Sequence, residues 1–287
     1  MARILVVGCG KIGYPVARAL ASEGHVVYGI KRSIADPADH SIAWIYLDVR
    51  DAEAVARLPV EFDQVIIILT PAARSVEGYQ QIYQRGLGQL LTRLQCAAAA
   101  PAVIFVSATS VYAQQNGEWI DEDSVTRPLQ YNGKSLLEAE QQVLEYSSDS
   151  LVVRFSGIYG AKRNRLLKQL EQPMQLQATP PLYSNRIHQD DCIGTLLHLS
   201  ALQRSATGTY RIYLASDFEP VAKFEMMTWL AAEAGLTPPT PFNAADDAPQ
   251  NKRCCNKRLV ASGYQFKYRD YRQGYRQVLN DSEKSCR

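Results

Sequence analysis

The feature that most constrains this chain is the run Gly8-Cys9-Gly10-Lys11-Ile12-Gly13, which directly follows the β-branched, apolar stretch Arg3–Val7. A G-x-G-x-x-G spacing is weak alone, because glycines are common in turns. Placed after a strand, opening a helix and lying at the start of the chain, it has the context that dinucleotide binding requires. Gly8 permits the tight turn, Gly10 lets the backbone approach a pyrophosphate, and Gly13 lets the helix pack closely on the strand. Lys11 and Ile12 lie where the helix N-terminus offers free N–H groups to phosphates.

The pattern downstream repeats this beginning. A helix is expected over 11–22, then strands over 25–30, 43–47 and 64–69, with helical spacing over 51–58 between the last two. A long helix is read over 79–100, with the alanines at 97–100 as its end before Pro101. A strand over 103–107, a helix over 133–146 and a strand over 151–155 follow. Short apolar strands alternating with amphipathic helices predict an α/β fold, a Rossmann doubly wound parallel sheet. Beyond it the order loosens: a helix is expected over 190–201, a strand over 209–214, a helix over 223–234 and a linker over 237–250. We therefore expect a Rossmann domain over 1–158. A smaller mixed α/β C-terminal substrate domain is expected over 159–287, with one or more segments returning to the Rossmann sheet.

The end of the second strand separates NAD from NADP, since an acidic residue there bonds the ribose hydroxyls and a basic one accommodates a 2'-phosphate. Here it reads Ile30-Lys31-Arg32-Ser33, and no carboxylate follows until Asp36. Lys31, Arg32 and Ser33 form a candidate phosphate cradle, which points to NADP with NAD possible; a solvated loop is the bland alternative. Asp48, after the third strand, either bonds the adenine amino group or caps the next helix. Thr70, after the fourth strand, completes the cofactor set.

Composition excludes several classes. The 31 basic and 29 acidic residues give a formal charge of +2, spread along the chain, so neither a nucleic-acid nor a membrane partner is expected. The cluster Lys252, Arg253, Lys257 and Arg258 reads first as solvated surface and second as a contact for an anionic ligand. The six cysteines, at 9, 96, 192, 254, 255 and 286, show no C-x-x-C spacing, which predicts reduced thiols and no metal site. The apolar run over 2–7 is too short for a signal peptide or a membrane span, so a cytoplasmic location is expected.

Five segments together resemble the extended short-chain dehydrogenases/reductases, the NAD-dependent epimerase/dehydratase family, and more closely an atypical branch of it. They are Gly8 to Gly13, Phe105 to Tyr112, Leu136-Leu137-Glu138-Ala139-Glu140, Arg154 to Gly160, and Asn185 to Asp191. The resemblance covers nearly the whole length, although typical members carry a glycine loop one residue longer. It implies hydride transfer with a nicotinamide cofactor, assisted by a proton-moving Tyr, a Lys that lowers its pKa and a Ser or Thr that holds the substrate oxygen. In register, those positions fall on Asn132, Leu136 and Ala108, so the triad is missing. Tyr131, Lys134, Thr109 and Ser110 stand beside them and are the candidate catalytic residues. Against a shifted pair, one residue along a helix rotates a side chain by about 100°, and the alternative has Tyr131 packing at a helix entrance with Lys134 in solvent.

By position, the resemblance also puts Tyr159, Tyr183, Asn185 and Arg186 at a substrate pocket suited to a nucleotide-sugar. It has Asp190 and Asp191 capping the next helix and tying the two domains together, and His188 as structural. A homodimer through the helices over 79–100 and 133–146 would need an exposed apolar stripe, for which Leu87, Leu90, Leu91 and Leu94 are the candidates. Two functions result. One is an NAD(P)-dependent oxidoreductase or epimerase/dehydratase acting on a hydroxyl or carbonyl compound. The alternative is a non-catalytic NADP(H)-binding redox-sensing or interaction module.

Overall fold

The computed structural model describes residues 1–33, 39–161, 163–205 and 210–285; Asp36, Thr209 and Cys286, named above, lie outside them. The first elements are β1 (Arg3–Val7), α1 (Gly13–Ser22), β2 (Val26–Lys31), β3 (Ile42–Tyr46), α2 (Ala52–Ala56) and β4 (Gln64–Ile67). Then come α3 (Val76–Tyr79), α4 (Leu87–Leu94), β5 (Ala102–Ala108), β6 (Asn116–Ile120), α5 (Tyr131–Tyr146) and β7 (Leu151–Phe155). They are followed by β8 (Gly157–Tyr159), α6 (Arg165–Leu170), β9 (Gln175–Thr179), β10 (Tyr183–Ser184), β11 (Arg186–His188) and α7 (Gln189–Arg204). The last are β12 (Ile212–Ala215), β13 (Val221–Ala222), α8 (Lys223–Glu233), β14 (Thr240–Asn243), β15 (Asn251–Cys254), α9 (Lys257–Ala261) and α10 (Tyr271–Ser285).

Seven strands form one sheet in the order β12-β7-β5-β4-β1-β2-β3. The β1–β2, β2–β3, β1–β4 and β4–β5 pairs are parallel. From β3 to β7 this is the doubly wound Rossmann order, which reverses direction between β1 and β4 and opens a crevice at the strands' carboxyl ends.

The chain divides into two compact units, each drawn from three stretches: Met1–Ala113, Val125–Arg154 and Ile193–Tyr213 in the first, Gln114–Ser124, Phe155–Cys192 and Leu214–Arg287 in the second. In the first unit, Ile4 to Val7, Val65 to Ile67 and Val103 to Phe105 are fully buried, as strands covered on both faces must be. Each such side chain contributes about 1.5–3 kcal/mol by leaving water. Gln64, fully buried in this aliphatic setting, is satisfied by α7: Ser200 Oγ donates to its Oε1 at 2.6 Å, and its Nε2 donates to Ser200 O at 3.2 Å.

The long helix expected over 79–100 is broken. Residues Gln80–Gly86 form a π-helical segment between α3 and α4, and regular helix ends at Leu94. The alanines at 97–100 lie outside it, because the apolar stripe that packs the helix stops at Leu94 and helix propensity alone does not hold an exposed extension. Leu87, Leu90, Leu91 and Leu94 are 0–5% exposed, so this stripe is spent inside the chain and offers nothing to a second copy.

The second unit has its own core of Tyr159, Leu166, Leu170, Met226, Met227, Leu230, Tyr271, Tyr275 and Val278. Its small pairings join distant segments, β15 with β6 and β14 with β9, so part of the expected linker over 237–250 is strand. Asp190 and Asp191 stand in the first turn of α7 and bind the segment before α10 within this unit. Asp191 accepts hydrogen bonds from Tyr264 Oη, Lys267 N and Tyr268 N at 2.9, 2.7 and 3.1 Å, and Asp190 pairs with Lys267 Nζ at 2.7 Å. From the first turn of α7, the two carboxylates anchor the 264–268 segment. Among the described residues, no helix is long and apolar enough to cross a membrane.

Candidate functional site

A cleft of about 390 Å³ lies at the carboxyl ends of β1, β2 and β4, and its lining includes Gly8, Gly10, Lys31, Arg32, Ser33, Asp48 and Thr70. Gly8 has φ +93°, and a Cβ there would overlap the carbonyl oxygen of Ile68. A Cβ on Gly13 would overlap the carbonyl of Gly8, so these two glycines are required by the protein's own packing. Gly10 differs, since a Cβ there would meet nothing within 4 Å. The space it leaves opens into the cleft, where a phosphate would approach the backbone.

The first helix is N-capped by the backbone of Ile12, with no side-chain cap and no acidic residue in its first turn. Pro15 has no N–H, and Tyr14 N and Val16 N donate to Gly10 O and Ile12 O at 3.0 and 3.2 Å, so the helix meets an anion mainly with its positive dipole end. Ile12 is buried, Lys11 is exposed, and neither lines the cleft.

At the end of β2, the Lys31 ammonium lies over the rings of Trp44 and Tyr14, at 4.4 and 5.0 Å from their centroids. Arg32 and Ser33 are exposed beside it. Among the described residues, no carboxylate is ion-paired with Lys31 or Arg32. Asp48 is bonded to Arg50, whose Nη2 lies 2.6 Å from Oδ2 and whose backbone N–H donates to Oδ1 at 3.0 Å. That partnership holds its carboxyl below the usual range. The helix cap is instead Asp51, which accepts from the N–H groups of Glu53 and Ala54, so Asp48 is left facing the cleft.

The segment Thr109–Val111 is one turn of 3-10 helix after β5, and the Ser110 hydroxyl is buried with no hydrogen-bond partner. Gly133 lets α5 close onto this turn, since a Cβ there would overlap the Ser110 carbonyl. Tyr131 opens α5; its hydroxyl donates to the carbonyl of Arg74 at 2.7 Å, and its ring packs edge-on against Tyr79 at 5.4 Å. Lys134 is exposed and Leu136 is buried. The fold thus brings Ser110 to the start of α5, while the Tyr131 hydroxyl is turned to the loop after β4.

The motif residues around these positions converge on one buried cluster. Arg154 Nε lies 3.0 and 3.1 Å from the two oxygens of Glu140, and its Nη2 lies 2.6 Å from Oε2. Ser107 Oγ donates to Glu140 Oε1 at 2.6 Å, and Arg154 Nη1 donates to Tyr112 Oη at 2.7 Å. The pair's side chains are only 3% and 1% exposed. The sequence segments around 107–112, 136–140 and 154 are therefore tied by an ionic core beneath the β5 turn.

Of the residues placed by position at a substrate pocket, Tyr159 lies in the core of the second unit, 1% exposed and stacked on Tyr275 at 4.2 Å. Asn185 is committed at both ends of its amide, donating to Lys252 O at 2.8 Å and accepting from Cys254 N at 2.7 Å. Tyr183 stacks under the Arg253 guanidinium, 4.9 Å away. Arg186 keeps a buried Nε with no partner. Lys223 titrates below its ordinary value because it is buried and because Arg186 and Arg165 are near, which identifies a local concentration of positive charge. Asp217, within the field of Arg186, is 2% exposed, and burial pushes its carboxyl well up. Lys223, Arg165 and Asp217 carry no motif that singles them out in the sequence. Among the described residues, no group of three His, Cys, Asp or Glu side chains is arranged to hold a metal ion.

Residues 2–284 match the RmlD substrate binding domain family. The chain belongs to that family, an atypical branch of the short-chain dehydrogenases/reductases. Over 283 residues it is 26% identical to protein YeeZ of Escherichia coli K12, covering 94% of this chain and 97% of that one. It is 25% identical to the dTDP-4-dehydrorhamnose reductase of the same organism, covering 95% of each. A solved structure of a protein assigned to the NAD-dependent epimerases/dehydratases from Methylobacillus flagellatus is 34% identical, with TM-score 0.81 over 98% of this chain and 99% of that one. The fold is shared with UDP-glucuronic acid 4-epimerase of Bacillus cereus in complex with NAD, at 18% identity and TM-score 0.78 over 99% and 100% of the two chains.

Proposed function

We propose that this protein is an NADP-dependent oxidoreductase or epimerase acting on a hydroxyl or carbonyl group of a nucleotide-sugar or a similar anionic compound. The observation that carries this reading is the cleft. Its glycine loop leaves open space at Gly10, its helix N-terminus carries no side-chain cap, and its far end presents Lys31, Arg32 and Ser33 without an ion-paired carboxylate among the described residues. Gly8, Gly10 and the start of α1 would hold the pyrophosphate, Lys31, Arg32 and Ser33 the 2'-phosphate, and Asp48 and Thr70 the remaining polar edges. The bound dinucleotide supplies the hydride acceptor or donor.

The chain's own task is then to position the substrate and move a proton. Tyr131, Lys134, Thr109 and Ser110 are assigned to that task, with Tyr131 leaving the Arg74 carbonyl to act and the unpartnered Ser110 hydroxyl available to a substrate oxygen. Arg186, with Lys223 and Arg165 adding to its field, would favour a diphosphate. The compounds in the names of the similar proteins, dTDP-4-dehydrorhamnose and UDP-glucuronic acid, are consistent with that charge.

A second reading is a non-catalytic NADP(H)-binding module. It is favoured by Ala108, Asn132 and Leu136 at the family's catalytic positions and by the engaged Tyr131 hydroxyl. A panel of nucleotide-sugars assayed for NADPH oxidation and NADP reduction separates the two. Turnover that disappears in Tyr131→Phe while NADPH affinity is kept supports the enzyme. Binding of NADPH without turnover on any member of the panel supports the module.

A further inference from the structure

We propose that Tyr14 and Trp44 are positioning residues that fix the Lys31 ammonium at the mouth of the cleft, and that this aromatic seat sets the preference for a 2'-phosphorylated dinucleotide. The inference rests on the reading of the cleft as an NADP site and adds the device that makes Lys31 effective there.

The seat follows from strand register. Gly29 of β2 is the Cα partner of Trp44 on β3, so their side-chain directions share one face of the sheet. Lys31, two residues beyond Gly29, lies on that face too. A Cβ on Gly29 would come within 2.8 Å of Trp44 Cζ3 and 3.0 Å of Cys9 Sγ, so the indole occupies the space a side chain would fill. The Tyr14 ring, from the first turn of α1, lies 6.0 Å from the indole at an interplanar angle of 33°. Both rings are tied at their polar ends to Asp39. Tyr14 Oη donates to its carboxylate at 2.9 Å, and Trp44 Nε1 donates to its carbonyl at 3.2 Å. That carboxylate also accepts from Ser41 and pairs with Arg18 at 3.5 Å.

The consequence concerns charge and order together. A carboxylate holding Lys31 would neutralise the charge that a phosphate needs, and an unheld lysine would lose its rotamer freedom on binding. Ring faces attract the ammonium through their quadrupoles and leave its full charge in place. The lysine is thus ordered before the ligand arrives, which lowers the entropic cost of contacting a phosphate. A dinucleotide with a free 2'-hydroxyl gains nothing from this arrangement.

The test is calorimetric titration with NADPH and with NADH of the full-length wild type, Lys31→Ala, Trp44→Leu, Trp44→Phe and Gly29→Ala, with melting temperatures recorded for each. The expected result is that Trp44→Leu weakens NADPH roughly five- to tenfold, the effect of returning rotamer freedom to the lysine, and leaves NADH within about twofold. Trp44→Phe, which keeps a ring face, restores most of the NADPH affinity. Gly29→Ala, which displaces the indole without removing it, reproduces the NADPH-selective loss if Trp44→Leu does not fold. Equal weakening of both nucleotides, or an unchanged NADPH affinity, overturns the seat while Lys31→Ala still shows a NADPH-selective loss. A wild type without NADPH preference overturns the parent reading and the seat with it.

Discussion

Arg154→Met removes one partner from the cluster that joins β5, α5 and β7. The Glu140 carboxylate, at 1% side-chain exposure, keeps only the Ser107 hydroxyl as a donor, and Tyr112 loses the guanidinium from its hydroxyl. Breaking a buried pair in this way costs about 3–5 kcal/mol, because a charge is stranded where water does not reach. Against a total stability of about 5–15 kcal/mol this is a large fraction. With a urea m-value of about 3 kcal/mol/M the midpoint falls by about 1–1.7 M. Glu140→Leu/Arg154→Met removes both charges and takes one hydrogen bond from each of the Ser107 and Tyr112 hydroxyls, each worth about 1 kcal/mol. The double variant is therefore expected to be more stable than Arg154→Met alone. Urea unfolding followed by circular dichroism measures all forms. A loss below about 1 kcal/mol in Arg154→Met, or a double variant whose cost equals the sum of the two single ones, refutes the account of this cluster as a coupled ionic core.

The glycine loop separates packing from binding. Gly10→Ala is expected to change stability by less than about 0.5 kcal/mol, since its Cβ meets no protein atom, while weakening dinucleotide binding at least tenfold. Gly8→Ala is expected to lower the melting temperature itself, because of φ +93° and the overlap with Ile68 O; thermal melts and titrations of the two variants check this. Asp217→Asn tests the buried acid of the second unit. A carboxyl whose folded pKa is raised makes its full contribution below the unfolded value near 3.8, and that contribution is lost as pH rises toward the folded one. Wild-type stability should thus fall relative to the variant above about pH 4, by up to ~1.4 kcal/mol per pH unit, in urea unfolding at several pH values; a pH-independent difference contradicts the assignment.

The half of the chain built from local pattern was legible. Strands covered on both faces must be apolar along their length, so β1, β2, β4 and β5 announce themselves, and the loop over 8–13 marks the turn into α1. What stayed hidden depends on partners far apart in sequence. The β6–β15 pairing joins Asn116 with Asn251, and neither strand alternates strongly enough to be read alone. The amphipathic α10 carries little apolar residue beyond Tyr271, Tyr275, Val278 and Leu279, and its packing on the second unit's core is invisible locally. In the cleft, Lys31, Arg32 and Ser33 could be named from their place after β2, but the aromatic seat required the Gly29–Trp44 register. The landmarks Ser107, Glu140 and Arg154 were readable as positions and not as one cluster, because burial and pairing exist only once the sheet is assembled.

The central claim, that the cleft is an NADP site, is tested most directly by calorimetric titration of the wild type and Lys31→Ala/Arg32→Ala with NADPH and NADH. The account predicts NADPH binding favoured over NADH in the wild type. The double variant should lose about 10- to 100-fold of its NADPH affinity, as expected for removing charge-assisted contacts to one phosphate, with NADH affinity unchanged. Binding of neither nucleotide, or equal binding of both that the double variant leaves untouched, would contradict it.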